Sequence, residues 1–404
     1  MEEWKTVEIK DICTGIYEGP HATPKESQSG GIYLGIPAIS EDGHINFKNA
    51  KRISEDDLPL WTKRVTPQED DIVFTNEATL NLYAIIPAGF HGCLGRRLGL
   101  IRLNKELVNV KYLFYYFFSP DWRETISRNK VSGATVERIL MTKFPHFPVK
   151  LPPLSIQNKI ATILSSLDDK IENNRKINEN LEQQAQALFK SWFVDFEPFR
   201  DQPFVESELG MIPEGWGVGN FTDLISIMPG GTPSTNVSEY WDNGNIPFFS
   251  PKDVNGVYCL KTEKSITQDG LNHCSSNLYP KDTIFVTARG TVGKIAMAGV
   301  PMAMNQSNYA LVPKEDFNNF YIYLQAQNLV EILLKKANGA VFSAITTKDF
   351  KELVVIPDKV IIYKFGIIVK PIFDKILLAM NESHRLSLLR DTLLPKLMSG
   401  KIKL

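Results

Sequence analysis

The side chains best suited to chemistry are arginines and lysines that stand beside glycines in short polar loops. Arg289 and Lys294 enclose a segment with two glycines, and glycine lets a backbone approach a ligand closely. Arg96 and Arg97 stand between a glycine and an apolar run, and two neighbouring guanidiniums are costly to bury. Such side chains donate hydrogen bonds to the phosphates and base edges of duplex DNA. A solvated loop or a turn cap is the simpler alternative for each residue.

Other loops in both halves of the chain carry the same kinds of donor and acceptor. They stand between predicted strands, where a side chain is free to enter a DNA groove. Gly230-Gly231 is more simply a turn than an anion-binding nest. The predicted DNA-contacting residues are Lys25, Gln28, Asn76, Arg96, Arg97, Thr135, Lys252, Arg289, Lys294, Asn305 and Gln306.

The chain carries no sequence motif for catalysis. A phosphate-binding loop, a dinucleotide-binding fingerprint, a zinc-protease motif and a nucleophile elbow are absent. The Pro-Pro tetrad of adenine methylases is absent as well. His91 and Cys93 form one potential ligand pair without a second, and His273 and Cys274 would point apart on a strand. We therefore predict no catalytic residue, no metal and no cofactor in this chain, which would depend on partner proteins for chemistry.

The charge balance excludes a simple basic coat for nucleic acid. The net charge is −1 and the isoelectric point is about 6.6, whereas such domains usually lie above about 9. Local basic patches are still compatible with DNA binding, as are partner subunits that contact the phosphates.

Composition also bears on location and size. The sequence has no run of about 18 apolar residues, and its N-terminus lacks the basic and apolar regions of a signal peptide. The four cysteines form no CxxC pair, which is typical of free thiols in a reducing compartment. We expect a cytoplasmic protein without a membrane segment. A length of 404 residues predicts two or three domains.

The second half of the chain repeats the layout of the first. Adding 205 to Asp169-Lys170-Ile171 gives Asp374-Lys375-Ile376. Residues 282–285 resemble residues 71–74, while the sequences between such matches differ. A repeat on this scale fixes the architecture, and divergent loops on a shared frame suit two recognition specificities. A nearly two-fold protein also suits a DNA site with two half-sites.

Each half ends in a predicted long helix. Apolar residues recur every seven positions in the first helix, with Asn174 and Lys170 as polar interruptions. This spacing is typical of a coiled coil, in which the two residues either fix the register or form a solvated stretch. The length of the helix, residues 154–192, and its polar outer faces favour a protruding rod over a helix packed into a core. A matching helix at residues 361–397 would pack antiparallel to the first.

These features predict an α+β fold. Two similar mixed α/β domains, each a candidate for recognising one DNA half-site, would be separated by two long helices, packed as an antiparallel coiled coil in a pseudo-two-fold arrangement. Residues 193–213, with three prolines, would link the first helix to the second domain. The predicted segments are a first recognition domain at 1–152, a central long helix at 153–198, a second recognition domain at 199–357 and a C-terminal long helix at 358–404.

The chain resembles the specificity subunit of type I restriction-modification enzymes along essentially its whole length. The resemblance depends on the order and spacing of several motifs, and no single motif decides it. The motifs are Leu151–Ala161, Leu167–Ile171, Ala187–Phe196, Gly230–Ser234, Ala288–Gly293 and Leu393–Gly400.

The resemblance implies a division of labour among subunits. Each recognition domain would read one half of a bipartite site in double-stranded DNA, and the paired helices would set the gap between the halves. Two modification subunits with S-adenosylmethionine would methylate adenine N6, and restriction subunits with ATP and Mg²⁺ would cut the DNA. Residues 354–360 depart from the family layout because they lack the double proline and the glutamine that follow the first domain. Docking of a modification subunit is therefore expected more firmly at the first boundary.

Two other classes of function are compatible with the residues alone. A protein–protein scaffold would join two partners through its globular domains without DNA contact. Salt-dependent retention of the assembled complex on duplex DNA separates such a scaffold from a DNA reader. A stand-alone nuclease or methylase would be active as the purified chain with Mg²⁺ or S-adenosylmethionine.

Overall fold

The chain packs as two compact units. The first unit contains the residues up to 170 together with residues 386–404, and the second unit contains residues 171–385. Each long helix therefore contributes one part to each unit, and the division into four segments stays a prediction. The computed structural model describes residues 4–132, 136–315, 317–336 and 344–404.

Short strands and helices form the first unit before its long helix begins. The strands are β1 (Lys5–Glu8), β2 (Cys13–Glu18), β3 (Gly31–Leu34), β4 (Lys51–Ile53), β5 (Ile72–Thr75), β6 (Tyr83–Ile85), β7 (Gly92–Leu94), β8 (Leu98–Leu103), β9 (Val131–Ser132), β10 (Glu137–Arg138) and β11 (Pro148–Leu151). The helices are α1 (Leu58–Trp61), α2 (Val110–Tyr116), α3 (Pro120–Asn129) and the long α4 (Leu154–Phe193).

Two sheets form the frame of the first unit. β2, β8, β5 and β6 form an antiparallel sheet in that order, and β4, β3 and β7 form a second sheet in which β3 is parallel to β7. Ile72 and Phe74 of β5 join the core cluster that contains the aromatic helix α2, whereas Val73 joins a second cluster. Successive side chains of a strand point to opposite faces, so β5 is buried on both.

The second unit is built from a similar series of elements. The strands are β12 (Phe204–Ser207), β13 (Gly210–Pro213), β14 (Gly217–Asn220), β15 (Ile225–Pro229), β16 (Ile246–Phe249), β17 (Tyr258–Cys259), β18 (Lys264–Ile266), β19 (Ile284–Thr287), β20 (Ile295–Ala298), β21 (Ala303–Met304), β22 (Asn308–Pro313) and β23 (Leu353–Ile356). The helices are α5 (Gln268–Asn272), α6 (Asn319–Lys336) and the long α7 (Lys359–Met398).

The sheets of the second unit repeat the topology of the first. The order β15-β22-β19-β20 matches β2-β8-β5-β6, with β17 as an additional edge strand, and β18-β16-β21 matches β4-β3-β7. Ile284 of β19 pairs with Leu311, as Ile72 of β5 pairs with Ile101. The predicted α+β class with two similar mixed α/β domains is therefore confirmed.

The structure corrects one detail of the repeat. Residues 282–285 were expected to match residues 71–74, but Asp282 is equivalent to Asp70. Each of these aspartates precedes its strand with a left-handed backbone, at φ 69° for Asp282 and φ 70° for Asp70. The expected match was wrong by one residue, and such a slip would turn every side chain of the strand to the opposite face.

The long helices α4 and α7 are antiparallel in the second unit, as predicted. The Asn174 side chain of α4 donates to the Ala379 carbonyl of α7, and the Phe189 ring of α4 lies 6.3 Å from the Phe365 ring of α7. Positions along α7 therefore decrease as positions along α4 increase. Antiparallel packing lets each helix bury one apolar stripe against the other.

The ends of the long helices belong to the cores. Ile160, Ala161 and Leu164 of α4 join the core of the first unit, together with Leu394 and Leu397 of α7. The other end of α4 likewise contributes phenylalanines to the core of the second unit. The expectation of a protruding rod is therefore wrong for these ends, which are core helices.

The two polar interruptions of the heptad pattern have different environments. Asn174 is 2% exposed, and its Nδ2 donates to Glu382 Oε2 at 2.8 Å. Lys170 is exposed. A buried asparagine between helices is typical of a contact that fixes register, so Asn174 fits that alternative, whereas Lys170 belongs to a solvated stretch.

The segment expected to be a plain linker is structured. β12 and β13 form an antiparallel hairpin within residues 193–213, and Phe199 joins the core of the second unit. Gly210 has φ 96°, which permits the tight turn between the strands. The segment that joins the first helix to the second unit is therefore ordered and partly belongs to that unit's core.

Candidate functional site

In each unit a buried threonine ends a central strand and holds the loop that follows. Thr75 ends β5 and Thr287 ends β19, and both are at most 3% exposed. Each Oγ1 accepts a hydrogen bond from the backbone N–H seven residues later, at 3.2 Å for Thr75 and 2.9 Å for Thr287. We call residues 76–82 and 288–294 the corner loops. Their matching anchors show that the two loops are equivalent.

The corner loops share an unusual backbone. The third residue of each is left-handed, with φ 68° at Ala78 and φ 80° at Gly290. The sixth residue is left-handed too, with φ 66° at Asn81 and φ 84° at Gly293. Glycine adopts this conformation readily, but for alanine the cost is about 1–2 kcal/mol. Strain of this kind persists where the surroundings fix the backbone, and it clusters at functional sites.

A turn contacts each corner loop immediately before the next strand. We call residues 95–97 and 305–307 the facing turns. The first residue of each corner loop donates its backbone N–H to the last residue of the facing turn, at 3.1 Å to Arg97 and 2.8 Å to Ser307. A corner loop and its facing turn together form one corner site. The fold therefore brings Asn76, Arg96 and Arg97 together in the first unit. The sequence analysis predicted each of them as a DNA contact, but it did not predict that their loops meet.

The first corner site pairs several of its polar groups. Asn76 is 5% exposed and donates from Nδ2 to Glu18 Oε1 at 3.1 Å, while its Oδ1 has no partner among the described residues. Arg97 Nε lies 3.1 Å from Glu77 Oε1, in an ion pair whose geometry falls short of a hydrogen bond. Arg96 is exposed. Within the described residues the site thus combines the unpaired cation of Arg96, the ion-paired cation of Arg97 and the unpaired acceptor Oδ1 of Asn76.

The second corner site presents cations without partners. Arg289 and Lys294 are exposed, and neither side chain has a hydrogen bond or ion pair within the part of the chain that the structure describes. Gln306 accepts a hydrogen bond from the Thr232 hydroxyl, which ties the loop after β15 to the facing turn. Asn305 Oδ1 accepts the backbone N–H two residues later at 3.0 Å, so Asn305 also caps the turn.

A third segment reaches the first corner site, and the sequence analysis missed it. A backbone bridge joins Glu77 to Arg138, which is exposed, and the equivalent bridge of the second unit joins Arg289 to Ala344. Glu18 at the end of β2 was also missed. No local pattern marks Arg138, because only pairing across the fold brings β10 to this corner.

The other predicted residues lie outside the corner sites. Lys25 and Gln28 are exposed on the connection between β2 and β3. The Lys252 side chain is 80% exposed, and its ammonium lies 3.7 Å from the Glu263 carboxylate. Thr135 lies outside the described residues. Among those described, no hydrogen bond or ion pair joins these lysines or Gln28 to a corner site.

The same described ranges show no group of three or more His, Cys, Asp or Glu residues placed to hold a metal ion. No helix within them is long and apolar enough to cross a membrane. Burial raises the pKa of the Cys13, Cys93 and Cys259 thiols to about 12. These thiols stay protonated at neutral pH, and a protonated thiol is a poor nucleophile.

Comparison with known proteins shows the family to which this chain belongs. The family model described as the type I restriction modification DNA specificity domain matches residues 1–183 and 213–359. The chain belongs to this family. Members of the family are specificity subunits, which are non-catalytic, and catalysis lies on other subunits of the enzymes.

Individual relatives cover the whole chain. The chain is 29% identical over 468 residues to the type I restriction enzyme HindI specificity subunit of Haemophilus influenzae, with 100% of each chain covered. It is 28% identical over 416 residues to the MjaIX specificity subunit of Methanocaldococcus jannaschii, with 100% of this chain and 94% of that one covered. The crystal structure of the type I restriction-modification S subunit from M. genitalium aligns at a TM-score of 0.55 and 17% identity, covering 98% and 96% of the chains. This last likeness shows a shared fold.

Proposed function

We propose that this chain reads a bipartite target in double-stranded DNA, one half-site with each corner site. One observation carries the proposal: the two corner loops share their threonine anchors and their left-handed positions, but the two corner sites carry different polar side chains. Glu77 and Arg289 occupy equivalent positions of the corner loops, and Arg97 and Ser307 occupy equivalent positions of the facing turns. Sequence is read by hydrogen bonds to base edges, so a change of polar groups on a fixed frame changes the bases that are read.

The proposed contacts fall into two kinds. The exposed cations Arg96, Arg289 and Lys294 are placed to bind phosphates or base edges, and Asn76 and Gln306 offer amide groups to bases. Lys25, Gln28 and Lys252 stay proposed contacts on other loops, Asn305 stays one in the second facing turn, and Thr135 stays one outside the described residues.

Partner subunits complete the proposed function. Two modification subunits would carry S-adenosylmethionine, and restriction subunits would carry ATP and Mg²⁺, so that this chain needs no cofactor. The net charge of −1 supports this arrangement, because partners that surround the duplex would supply phosphate contacts. We propose a cytoplasmic location for the complex, because it would act on cellular DNA.

We further propose that the long helices set the distance between the half-sites. Each helix spans 40 residues and contributes to both units, so an insertion in either helix lengthens an element that the two units share. Insertion of four residues, about one helical turn, into α4 is expected to lengthen the recognised spacer and leave both half-sites unchanged. A change in the half-sites with an unchanged spacer would contradict this role.

The central test uses Arg289→Ala in the complex with modification subunits. Binding to target duplexes with single-base changes is measured over a salt series. Loss of one bidentate contact to guanine is expected to cost about 1–3 kcal/mol of discrimination at one position. Arg200→Ala serves as the control, because Arg200 pairs with Glu197 at 3.4 Å outside the corner site. A wild-type complex that shows no sequence preference and no salt dependence would contradict DNA reading.

A further inference from the structure

We infer that Glu77 is a positioning residue that holds Arg97 for reading a guanine base edge in the half-site of the first unit. The inference rests on the proposed function, and it names the residue pair and the base that the first corner site would recognise. Four observations lead to it.

The first observation is the backbone of Arg97. This residue is left-handed, with φ 73°, and its carbonyl accepts a hydrogen bond from the Asn76 backbone N–H at 3.1 Å. The equivalent Ser307 of the second unit has no positive φ. A left-handed arginine is unfavourable by about 1–2 kcal/mol. The strain appears only in the unit whose facing turn ends in arginine, which indicates that the side chain needs this direction.

The second observation is the way in which the side chain is held. The Glu77 carboxylate lies beside Arg97 Nε at 3.1 Å, and the two side chains are 33% and 32% exposed. The Nη1 and Nη2 groups of Arg97 have no hydrogen-bond partner among the described residues. Glu77 therefore orients the guanidinium without using its outer donors. Two parallel donors of one guanidinium match O6 and N7 of guanine.

The third observation is an unpaired acceptor beside this arginine. Asn76 is 5% exposed and its Oδ1 has no partner within the described ranges. The amide orientation is fixed, because its Nδ2 donates to Glu18 Oε1 at 3.1 Å and the flipped amide would set two oxygens together. Buried polar atoms nearly always have a partner. The unpaired acceptor therefore indicates that a polar ligand completes the site.

The fourth observation is the reversed arrangement in the second unit. Arg289 occupies the position of Glu77, and Ser307 occupies the position of Arg97. The guanidinium of the second unit therefore comes from the corner loop, and no carboxylate among the described residues forms an ion pair with it. A carboxylate beside the arginine is thus specific to the first corner site, and the backbone that the two units share does not require it.

The experiment compares Glu77→Gln and Arg97→Lys in the complex with modification subunits. Each variant is measured against duplexes that carry every single-base change in the two half-sites. Both variants are expected to lose about ten-fold discrimination at the same single position of one half-site, with the other half-site unchanged. Lysine keeps the charge but lacks the planar fork, and Glu77→Gln removes a negative charge, so binding to non-specific DNA is not expected to weaken.

The matched control is Glu124→Gln, which removes the carboxylate of an exposed ion pair with Arg128 on α3. It is expected to leave every position unchanged. A uniform loss across all sequences in Arg97→Lys, with a shallower salt dependence, would make Arg97 a phosphate contact and overturn the inference. A lower melting temperature of Glu77→Gln with unchanged discrimination would reduce the pair to a structural one and also overturn it. The proposed function is tested separately, by the wild-type complex: it would be contradicted if that complex showed no sequence preference.

Discussion

The first unit uses a polar contact between its helices where the second unit uses aromatic packing. Asp168 of α4 accepts hydrogen bonds from the Tyr115 hydroxyl at 2.6 Å and from Arg390 Nη1 of α7 at 2.7 Å. The equivalent position of α7 is Phe373, whose ring stacks 4.6 Å from the Phe320 ring. The same helix position is therefore satisfied by an ion pair in one unit and by apolar contact in the other.

A second pair of equivalent helix positions shows the same exchange. Gln157 is 1% exposed, and its Oε1 accepts the Asn109 backbone N–H at 2.9 Å while its Nε2 donates to the Pro152 carbonyl at 2.8 Å. The equivalent Ile362 is 0% exposed and belongs to an apolar core. At these two positions the repeat keeps the same helix positions in the two units. The side chains at those positions have diverged from polar in the first unit to apolar in the second. Buried polar groups need specific partners, so the first unit is expected to be the less tolerant of substitution.

The largest expected effects come from the two equivalent helix positions, Phe373 in the second unit and Asp168 in the first. Asp168→Ala leaves the Arg390 side chain, 17% exposed, with the exposed Asp391 as its ionic partner among the residues that the structure describes. The pair is half-buried, so removing one member is expected to cost up to about 3 kcal/mol. Phe373→Ala, at the equivalent position of the second unit, is expected to cost about 3–5 kcal/mol through the cavity that it leaves. Urea unfolding of the full chain measures both losses.

Arg175→Ala is the control for the ion pair of the first unit. Arg175 lies on the same helix and pairs with Glu172 at 2.7 Å, but its side chain is 53% exposed. Exposed pairs contribute about 1 kcal/mol or less. If Asp168→Ala lowered the free energy of unfolding no more than Arg175→Ala, the Asp168–Arg390 pair would stabilise the first unit no more than an exposed pair, which would contradict the comparison.

The repeat and the antiparallel helices could be predicted because heptad spacing and strand runs are local patterns. The corner sites could not, since hydrogen bonds between distant strands bring Asn76 to Arg97 and bring Arg138 to Glu77. Gln157 shows a second limit. The lack of an equivalent glutamine after the second domain led us to expect weaker docking of a partner there. Gln157 is buried, however, and bonds to residues of its own unit. A motif alone does not separate a structural residue from a contact residue.

The next effect concerns the threonines that anchor the corner loops. Thr75→Val and Thr287→Val each remove a buried hydroxyl that accepts a backbone N–H. Leaving that N–H unpaired is expected to cost about 1–3 kcal/mol in either unit. Thermal unfolding compares the two variants. Equal losses support equivalent anchors, and a loss confined to one unit would break the equivalence.

A smaller effect is expected from exchanging glycine and alanine between the loops. Gly290 has φ 80°, and a Cβ at this position would meet nothing within 4 Å, so Gly290→Ala tests the backbone alone. The substitution is expected to destabilise the chain by up to about 1 kcal/mol, and Ala78→Gly to stabilise it by a similar amount. Gly217→Ala is the control, because Gly217 also has free space but no positive φ. A stabilising Gly290→Ala would contradict a fixed left-handed loop.

The smallest effect concerns a buried thiol in each unit. Burial raises the pKa of Cys93 and of Cys259 from 9.0 to about 12. Between these values the unfolded chain releases protons that the folded chain retains, so the free energy of unfolding falls as pH rises from 9 to 12. At about pH 9.5 the loss is at most about 1 kcal/mol per thiol. Cys93→Ala and Cys259→Ala should each show a shallower decline between neutral pH and this value than the wild type. Identical declines would place the titrating groups elsewhere.

The most direct measurement maps methylated adenines in cells that express the complex with Arg97→Ser or with Arg289→Ala. Each variant removes one guanidinium from one corner site and leaves the other site intact. We predict that each relaxes a single base position, and that the two positions fall in different half-sites. Relaxation in the same half-site by both variants, or an unchanged methylation pattern in both, would contradict two independent readers on one repeated frame.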